Sequence, residues 1–490
     1  MSIRRKVIVI GLDGLTLQML LPLVDQGQLP HFARLLATGA HGTLQSVTNL
    51  TTGPTWASFA TGCLPHHHGI LHDFHHLPAA YQLQPTKGSD CRRPFFWQLA
   101  GAADRRVVVL NVPMSYPVQP LNGVILAGID APSERAPGFA YPDHLYTELR
   151  RQGIDYLIDC GLASYIQRGH LAAGRQAVAR ETEGRTRAAE YLLTREAWDL
   201  FVVVYSLPDV WQHYYWGAPP GSAGDAQMRE GYHLLDQHVG RLLAHLPEDG
   251  LVILCSDHGF GPLTGTRDHL NQWLAQQGFL HYLPAAQPTT HTATRAVSRL
   301  LLSSLRRLVS FRRRQQLLAT LPALRRLVET RLRIGGIDWR RTQVYAALDH
   351  LELWINRQGR QPEGCVAPDA YEQVCAQVTT ALLDWRDEQR GTPYLTKVER
   401  NVFPTSPANA NLAPDLLLTW NPAVINPHLH PLITGDHTPD GAIIVAGPGV
   451  QPGGQLTASL CDIAPIVLHG LGLSLSTAMD GSVPAGLFKG

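Results

Sequence analysis

Short runs of β-branched and aliphatic residues recur along the chain with no polar interruption: Val7–Ile10, Val107–Leu110, Val124–Ala127, Phe201–Tyr205, Leu251–Cys255, Leu416–Thr419 and Ile443–Ala446. A strand with one solvated face alternates apolar and polar positions. A run that is apolar throughout reads as a strand covered on both sides, as in a parallel sheet flanked by helices. Between these runs lie amphipathic stretches such as Arg180–Leu193 and Gln227–Leu246. The alternation predicts an α/β/α sandwich built on a large, mostly parallel central sheet.

One stretch breaks the pattern. From Arg295 to Arg333 there are eleven arginines and one acid, Glu329, with leucines between them at helical spacing. Unpaired arginine is almost never fully buried. This stretch is therefore expected to be a helical cap inserted into the sheet protein, its leucines packed together or on the rim of the core. Gly335-Gly336 and Asp338-Trp339 mark an expected return. The expected organisation is core over 1–265, cap over 266–340, and core again over 341–490.

Composition narrows the classes. Across 490 residues, 41 Lys+Arg against 40 Asp+Glu leave a net charge of +1. That balance excludes a strongly basic nucleic-acid binder as the overall theme, so no specific nucleic-acid binding is expected. A hydrophobic content of 44% with 17% charge fits a globular core. No apolar run approaches the ~18 residues that a membrane span needs. The basic start Arg4-Arg5-Lys6 precedes only a short apolar run before Asp13, which reads as a first strand rather than a signal peptide. Seven cysteines without a CxxC pair argue against a disulfide framework, and a cytoplasmic setting is expected.

In an open α/β sheet, ligands gather beyond the carboxyl ends of the strands. Gly11-Leu12-Asp13-Gly14 follows the first run. Ser206-Leu207-Pro208-Asp209 follows Phe201–Tyr205, with His213 four residues on. Ser256-Asp257-His258-Gly259 follows Leu251–Cys255, and Gly435-Asp436-His437 precedes Ile443–Ala446. A lone Asp after a strand is usually a turn former or helix cap. Asp209 and His213 share a helix face, which suits either a metal pair or a surface hydrogen bond. His66, His67 and His68 read as a polar loop. Four Asp/His elements at sheet ends together suggest zinc or manganese ligands. The segment Asn49–Gly62 reads as a turn entering a helix, where amide N–H groups favour a phosphate. A threonine there suits a nucleophile activated by a metal, or a plain helix cap.

On these residues the chain resembles the alkaline phosphatase superfamily, and more narrowly its type I phosphodiesterase/nucleotide pyrophosphatase branch. The matching elements stand in the family's order. They are Gly11-Leu12-Asp13-Gly14; Thr52-Gly53-Pro54 with Thr61-Gly62 and His68-Gly69-Ile70; Asp209 with His213; Ser256–Gly259; and Gly435-Asp436-His437. Leu29–Phe32, Asn111–Met114, Asp462–Pro465 and Met479–Gly481 are softer matches. The resemblance implies two divalent metal ions, zinc with manganese as the second choice. Asp13, Asp257, His258 and the Thr52 hydroxyl would bind one, and Asp209, His213 and His437 the other. It further implies Thr52 as nucleophile. Thr55 stands where the branch commonly has Asn, so its hydroxyl would donate one hydrogen bond to a phosphate oxygen. The Cys or Ser that sulfatases need is absent from Thr52–Trp56.

The expected function is a phosphodiester hydrolase with a phosphothreonine intermediate, acting on nucleotides or related small diesters. A phosphomonoesterase or phosphonate hydrolase of the same fold is the alternative. A membrane- or partner-binding protein with a degraded site is the alternative of another class. The arginines of the expected cap would face solvent, a subunit neighbour, or an anionic surface such as a phospholipid bilayer. Replacing Arg312, Arg313 and Arg314 with Gln separates these. Unchanged vesicle binding at low salt and unchanged activity on large diesters leave the solvated face; loss of vesicle binding assigns the anionic surface.

Overall fold

The computed structural model describes residues 5–263, 270–284, 330–331, 333–348, 351–387, 390–401, 413–421, 424 and 433–489. The chain divides into two compact units. One comprises Met1–Ile70, Lys87–Pro262 and Leu432–Gly490; the other comprises Leu71–Thr86 and Leu263–Pro431.

The first unit is built on a nine-stranded sheet. Its strands lie side by side in the order Gln455–Ser459, Ala40–Gln45, Asp440–Ala446, Leu251–Cys255, Val7–Leu12, Leu200–Tyr205, Val107–Val112, Gly123–Ala127 and Ala140–Tyr141. Only Asp440–Ala446 and the short edge strand Ala140–Tyr141 run against the rest. The apolar runs are explained by what covers them. Ile8, Ile10 and Leu12 join a core with Val203, Leu254, Leu192 and Val239 on one face. Val7 and Val9, alternating with them, join Val202, Ile253, Trp56, Phe59 and Ile466 on the other. Both faces of the central strands are thus dry, with helices Leu171–Arg195 and Ala223–Leu243 on one side and Thr52–Thr61 and Ile463–Gly470 on the other.

Reversal of Asp440–Ala446 matters for the site. It pairs antiparallel with Leu251–Cys255, so its amino end lies at the same edge of the sheet as the carboxyl ends of the parallel strands. A residue just before this strand therefore arrives where residues just after the others do.

The second unit departs from the sequence expectation. Leu416–Thr419 is not a strand of the large sheet. It belongs to an antiparallel four-stranded sheet in the order Val344–Tyr345, Glu352–Ile355, Leu416–Trp420, Leu395–Arg400. This sheet has its own core, including Tyr345, Trp354, Leu353, Val378 and Leu382. Residues 341–431 thus group with the second unit rather than with the returning core. The apolar run gave no warning, because a short buried strand looks alike in either sheet. Residues 295–329 of the expected arginine-rich cap lie outside the described residues. Among the described residues no helix is long and apolar enough to cross a membrane.

One close approach ties the fold to the site. A Cβ added at Gly11, in the strand that leads to Asp13, would lie 2.8 Å from both the Trp56 ring and Val204. Trp56 is fully buried on helix Thr52–Thr61. The missing side chain lets that helix sit directly on the strand. Gly11→Ala should therefore be destabilising. Overpacking costs about 1–3 kcal/mol, which exceeds the ~0.4–1 kcal/mol that the loss of glycine's unfolded-state freedom returns. The expected result is a lower urea midpoint than wild type; a midpoint that does not fall would show that the Trp56 contact yields easily.

Candidate metal centre

Each candidate ligand sits where the sheet topology delivers it. Asp13 follows the strand Val7–Leu12, and Asp257 and His258 follow Leu251–Cys255. Asp209 and His213 lie one turn apart on helix Leu207–Tyr215, which follows Leu200–Tyr205. His437 lies in the strand Gly435–Thr438, opposite Phe260 of Gly259–Pro262, immediately before the reversed strand. All six are in the first unit.

They form two groups of three. In each, the candidate ligand atoms lie within 4.8 Å of one another: Asp13, Asp257 and His258 in one, Asp209, His213 and His437 in the other. His258 Nε2 is 3.4 Å from Asp13 Oδ1 and 3.6 Å from Asp257 Oδ2. Asp209 Oδ1 is 3.4 Å from His213 Nε2 and 3.2 Å from His437 Nε2. The two groups adjoin, since the rings of His258 and His437 stack with centroids 3.7 Å apart. Asp257 and His258 are buried, and the other four are half-buried.

The histidines share one device. Nδ1 of His213 faces the Gly435 carbonyl at 3.0 Å, that of His258 the Gly259 carbonyl at 2.9 Å, and that of His437 the Leu50 carbonyl at 2.9 Å. A carbonyl can only accept, so each Nδ1 carries the proton and donates it. In the neutral ring Nε2 is then left with its lone pair. All three Nε2 atoms point into the clusters, which is the arrangement of metal-binding histidines.

Electrostatics agree. Burial pushes the Asp13 carboxyl well above its usual range, and repulsion from Asp257 and Asp209 adds to it. Burial also raises the cost of ionising Asp209, yet His213 and His437 outweigh it and hold that carboxyl well below the usual range. His437 is lifted to about 9: burial opposes its charge, but Asp209 prevails. Burial lowers His258. Asp13 Oδ1 and Asp209 Oδ1 are shut away from solvent and face imidazole nitrogens, Nε2 of His258 and Nε2 of His213 and His437 respectively. Carboxylate oxygens facing one another and clustered imidazole lone pairs fit divalent cations. A third cluster, Asp159, Cys160 and Glu181, fits less well, because Arg185 already pairs with Glu181 at 2.8 Å.

The segment 50–55 is tied to both groups. Leu50 holds His437 through its carbonyl. Thr55, three residues past Thr52, places its Oγ1 2.9 Å from Asp257 Oδ2. Thr52, the first residue of helix Thr52–Thr61, is bracketed between these ties and is half-buried. Thr51 is its N-cap, and Thr51 Oγ1 is shut away from solvent without a partner.

Other supports carried no sequence signal. Gln212, fully buried, donates to the Gly14 carbonyl at 2.7 Å and accepts from Tyr232 Oη at 3.1 Å, linking the Asp13 turn to the helix of Asp209. Gly14 has φ 70°, and a Cβ there would meet the Asp209 backbone at 3.3 Å. His68, expected in a polar loop, is fully buried with Nε2 3.0 Å from Ser58 Oγ. Its Nδ1 accepts from the Ile70 N–H, so Nε2 must donate to Ser58; the ring cannot take that serine's proton and acts as a pin.

Residues 7–425 match the sequence family described as type I phosphodiesterase / nucleotide pyrophosphatase. The chain belongs to that family. Solved structures with the same fold lie within the alkaline phosphatase superfamily. Phosphonoacetate hydrolase from Sinorhizobium meliloti 1021, in complex with phosphonoformate, is 16% identical with a TM-score of 0.55, covering 96% of this chain and 95% of that one. Murine ectonucleotide pyrophosphatase / phosphodiesterase 5, an inactive variant in complex with AMP, is 12% identical with a TM-score of 0.55, covering 98% and 97%. The human counterpart is 13% identical with a TM-score of 0.53, covering 98% and 97%. None of the curated protein sequences matches. At these identities the structural likeness is one of fold. Membership in the phosphodiesterase / nucleotide pyrophosphatase family makes the chain a hydrolase of this superfamily.

Metal binding can be read directly. The chain should take up two divalent ions, and a chelator should remove them with a fall in melting temperature. Each ion at a free concentration one-hundredfold above its Kd should stabilise by about 2.7 kcal/mol. His437 keeps its proton up to about 9, so uptake at neutral pH displaces it. Affinity should rise with pH toward that value, with protons released in calorimetry. Uptake that is independent of pH would remove His437 from the ligand set.

Proposed function

We infer that this family member is a two-metal phosphodiesterase with Thr52 as its nucleophile, acting on nucleotides or related small diesters. The observation that carries the reading is the pair of Asp/His groups, each with Nε2 turned inward, on either side of the start of helix Thr52–Thr61. Asp13, Asp257 and His258, with the Thr52 hydroxyl, would hold one ion; Asp209, His213 and His437 would hold the other. When bound, the ions lower the cost of an alkoxide and offset the negative charge of the phosphate, and the mixed Asp/His donor set suits zinc or manganese.

Thr52 Oγ1 forms a bond to phosphorus as the bond from phosphorus to the departing alcohol breaks. The proton lost by Thr52 is matched by the one that the alcohol takes up. The rest of the ester stays on Thr52 until water adds to phosphorus, releases the monoester and returns a proton to the hydroxyl. Amide groups at the helix start favour the phosphate's anionic oxygens. Thr51 is less suited, since its hydroxyl is closed off from any substrate. Likeness in fold to a phosphonoacetate hydrolase supports a second reading, hydrolysis of a phosphonate or monoester at the same site.

Turnover of bis-nitrophenyl phosphate against nitrophenyl phosphate, with zinc or manganese supplied, tests the function. A diester preference supports the first reading; a monoester preference transfers the case to the second. Thr52→Ala should lose several orders of magnitude in kcat while the fold and metal content persist. Near-normal turnover in that variant, or phosphate trapped on Thr51, would overturn the assignment.

A further inference from the structure

Thr55 is fully buried on the first turn of helix Thr52–Thr61, so no substrate atom reaches it. Its hydroxyl oxygen lies 2.9 Å from Asp257 Oδ2, 3.1 Å from the Thr51 carbonyl and 3.2 Å from the Thr52 carbonyl. All three neighbours are acceptors, and the hydroxyl has one proton to give. A carboxylate is the strongest acceptor of the three, and it is also the nearest. The other oxygen of Asp257 accepts from the Gly14 N–H at the longer distance of 3.4 Å. Asp257 is 2% exposed, so no bulk water stands ready to replace a lost donor. The short bond from Thr55 therefore sets the rotation of this carboxylate.

We propose that Thr55 is a positioning residue for Asp257. It orients the carboxylate toward Asp13 and His258 and couples this group to the helix that carries Thr52; it does not contact the phosphate of the substrate. The proposal rests on the reading that Asp13, Asp257 and His258 hold a divalent ion. It reassigns the hydroxyl that sequence resemblance gives to a phosphate oxygen. A simpler account, in which Thr55 merely bonds back to the carbonyl four residues earlier as helix threonines do, gives Asp257 no part.

The test is metal affinity, measured on the whole chain by titrating the metal-free protein with zinc against a chromophoric chelator. Thr55→Val keeps the shape and removes the hydroxyl; Thr55→Ser keeps the hydroxyl. The expected result is that Thr55→Val weakens one of the two ions about 10–100-fold, as the loss of a ligand's hydrogen-bond partner does. The second ion should bind as in wild type, and Thr55→Ser should restore the first. Adding His213→Ala, which disables the other group, shows to which ion the loss belongs. Inhibition by inorganic phosphate at saturating zinc should be unchanged. Wild-type affinity for both ions in Thr55→Val overturns the proposal: if phosphate inhibition weakens, Thr55 contacts the phosphate, and if nothing changes, only the back-bond remains. Equal melting of the metal-free Val and Ser variants separates metal loss from misfolding. A wild-type chain that takes up no zinc would sink the metal reading itself, seen before any variant is compared.

Discussion

Three carboxylates, Asp13, Asp257 and Asp209, are gathered at one edge of the large sheet, where burial makes the charges of Asp13 and Asp209 expensive. The rest of the site answers that constraint. The two groups meet it differently. Around Asp209 a protonated His437 supplies the positive charge. Around Asp13 and Asp257 the nearest imidazole, His258, is itself driven toward neutrality, and Asp13 is pushed toward its protonated form. The polypeptide thus leaves one group satisfied by a proton and the other under-neutralised. Under the proposed two-metal reading, divalent cations would resolve both at once, each displacing protons in doing so.

Geometry is then held by parts that bear no charge. Three backbone carbonyls fix which nitrogen of each histidine carries its proton. Gly11 lets Trp56 press the helix of Thr52 onto the strand of Asp13, and Gly14 lets the following turn pass close to Asp209. Gln212 bridges the two groups from beneath. The helix of Thr52 is set by contacts on both sides rather than by its own cap, for Thr51 makes no side-chain cap bond.

Much of this was legible in the sequence because it is written in local order. Uninterrupted apolar runs announced strands with two dry faces, and Asp or His immediately after such a run follows from the rule that ligands collect at strand ends. What was not legible depends on partners distant in the chain. The run Leu416–Thr419 is as apolar as the parallel strands, yet pairs in a separate antiparallel sheet. Nothing local tells that Ile443–Ala446 is reversed, although its reversal explains why His437 precedes its strand when the other candidates follow theirs. Carbonyl acceptors leave no residue signature at all. Thr55 shows the remaining limit: its place in a motif was readable, but the direction of its hydroxyl was not.

The reversed strand also has a temporal side. Asp440–Ala446 lies between Leu251–Cys255 and Ala40–Gln45 in the sheet, yet it leaves the ribosome after both. By the time His258 has emerged, the group Asp13, Asp257 and His258 is complete, while His437 has still to be made. The strand Leu251–Cys255 can pair with Val7–Leu12 at that stage, but its other side stays an open, apolar edge, the kind of edge that recruits unwanted strands. Synthesis therefore imposes an order: one group can form while the sheet is still open, and the stretch that closes the sheet brings the last candidate ligand of the other. The residue that completes the second group and the strand that seals the edge thus arrive on one stretch of chain.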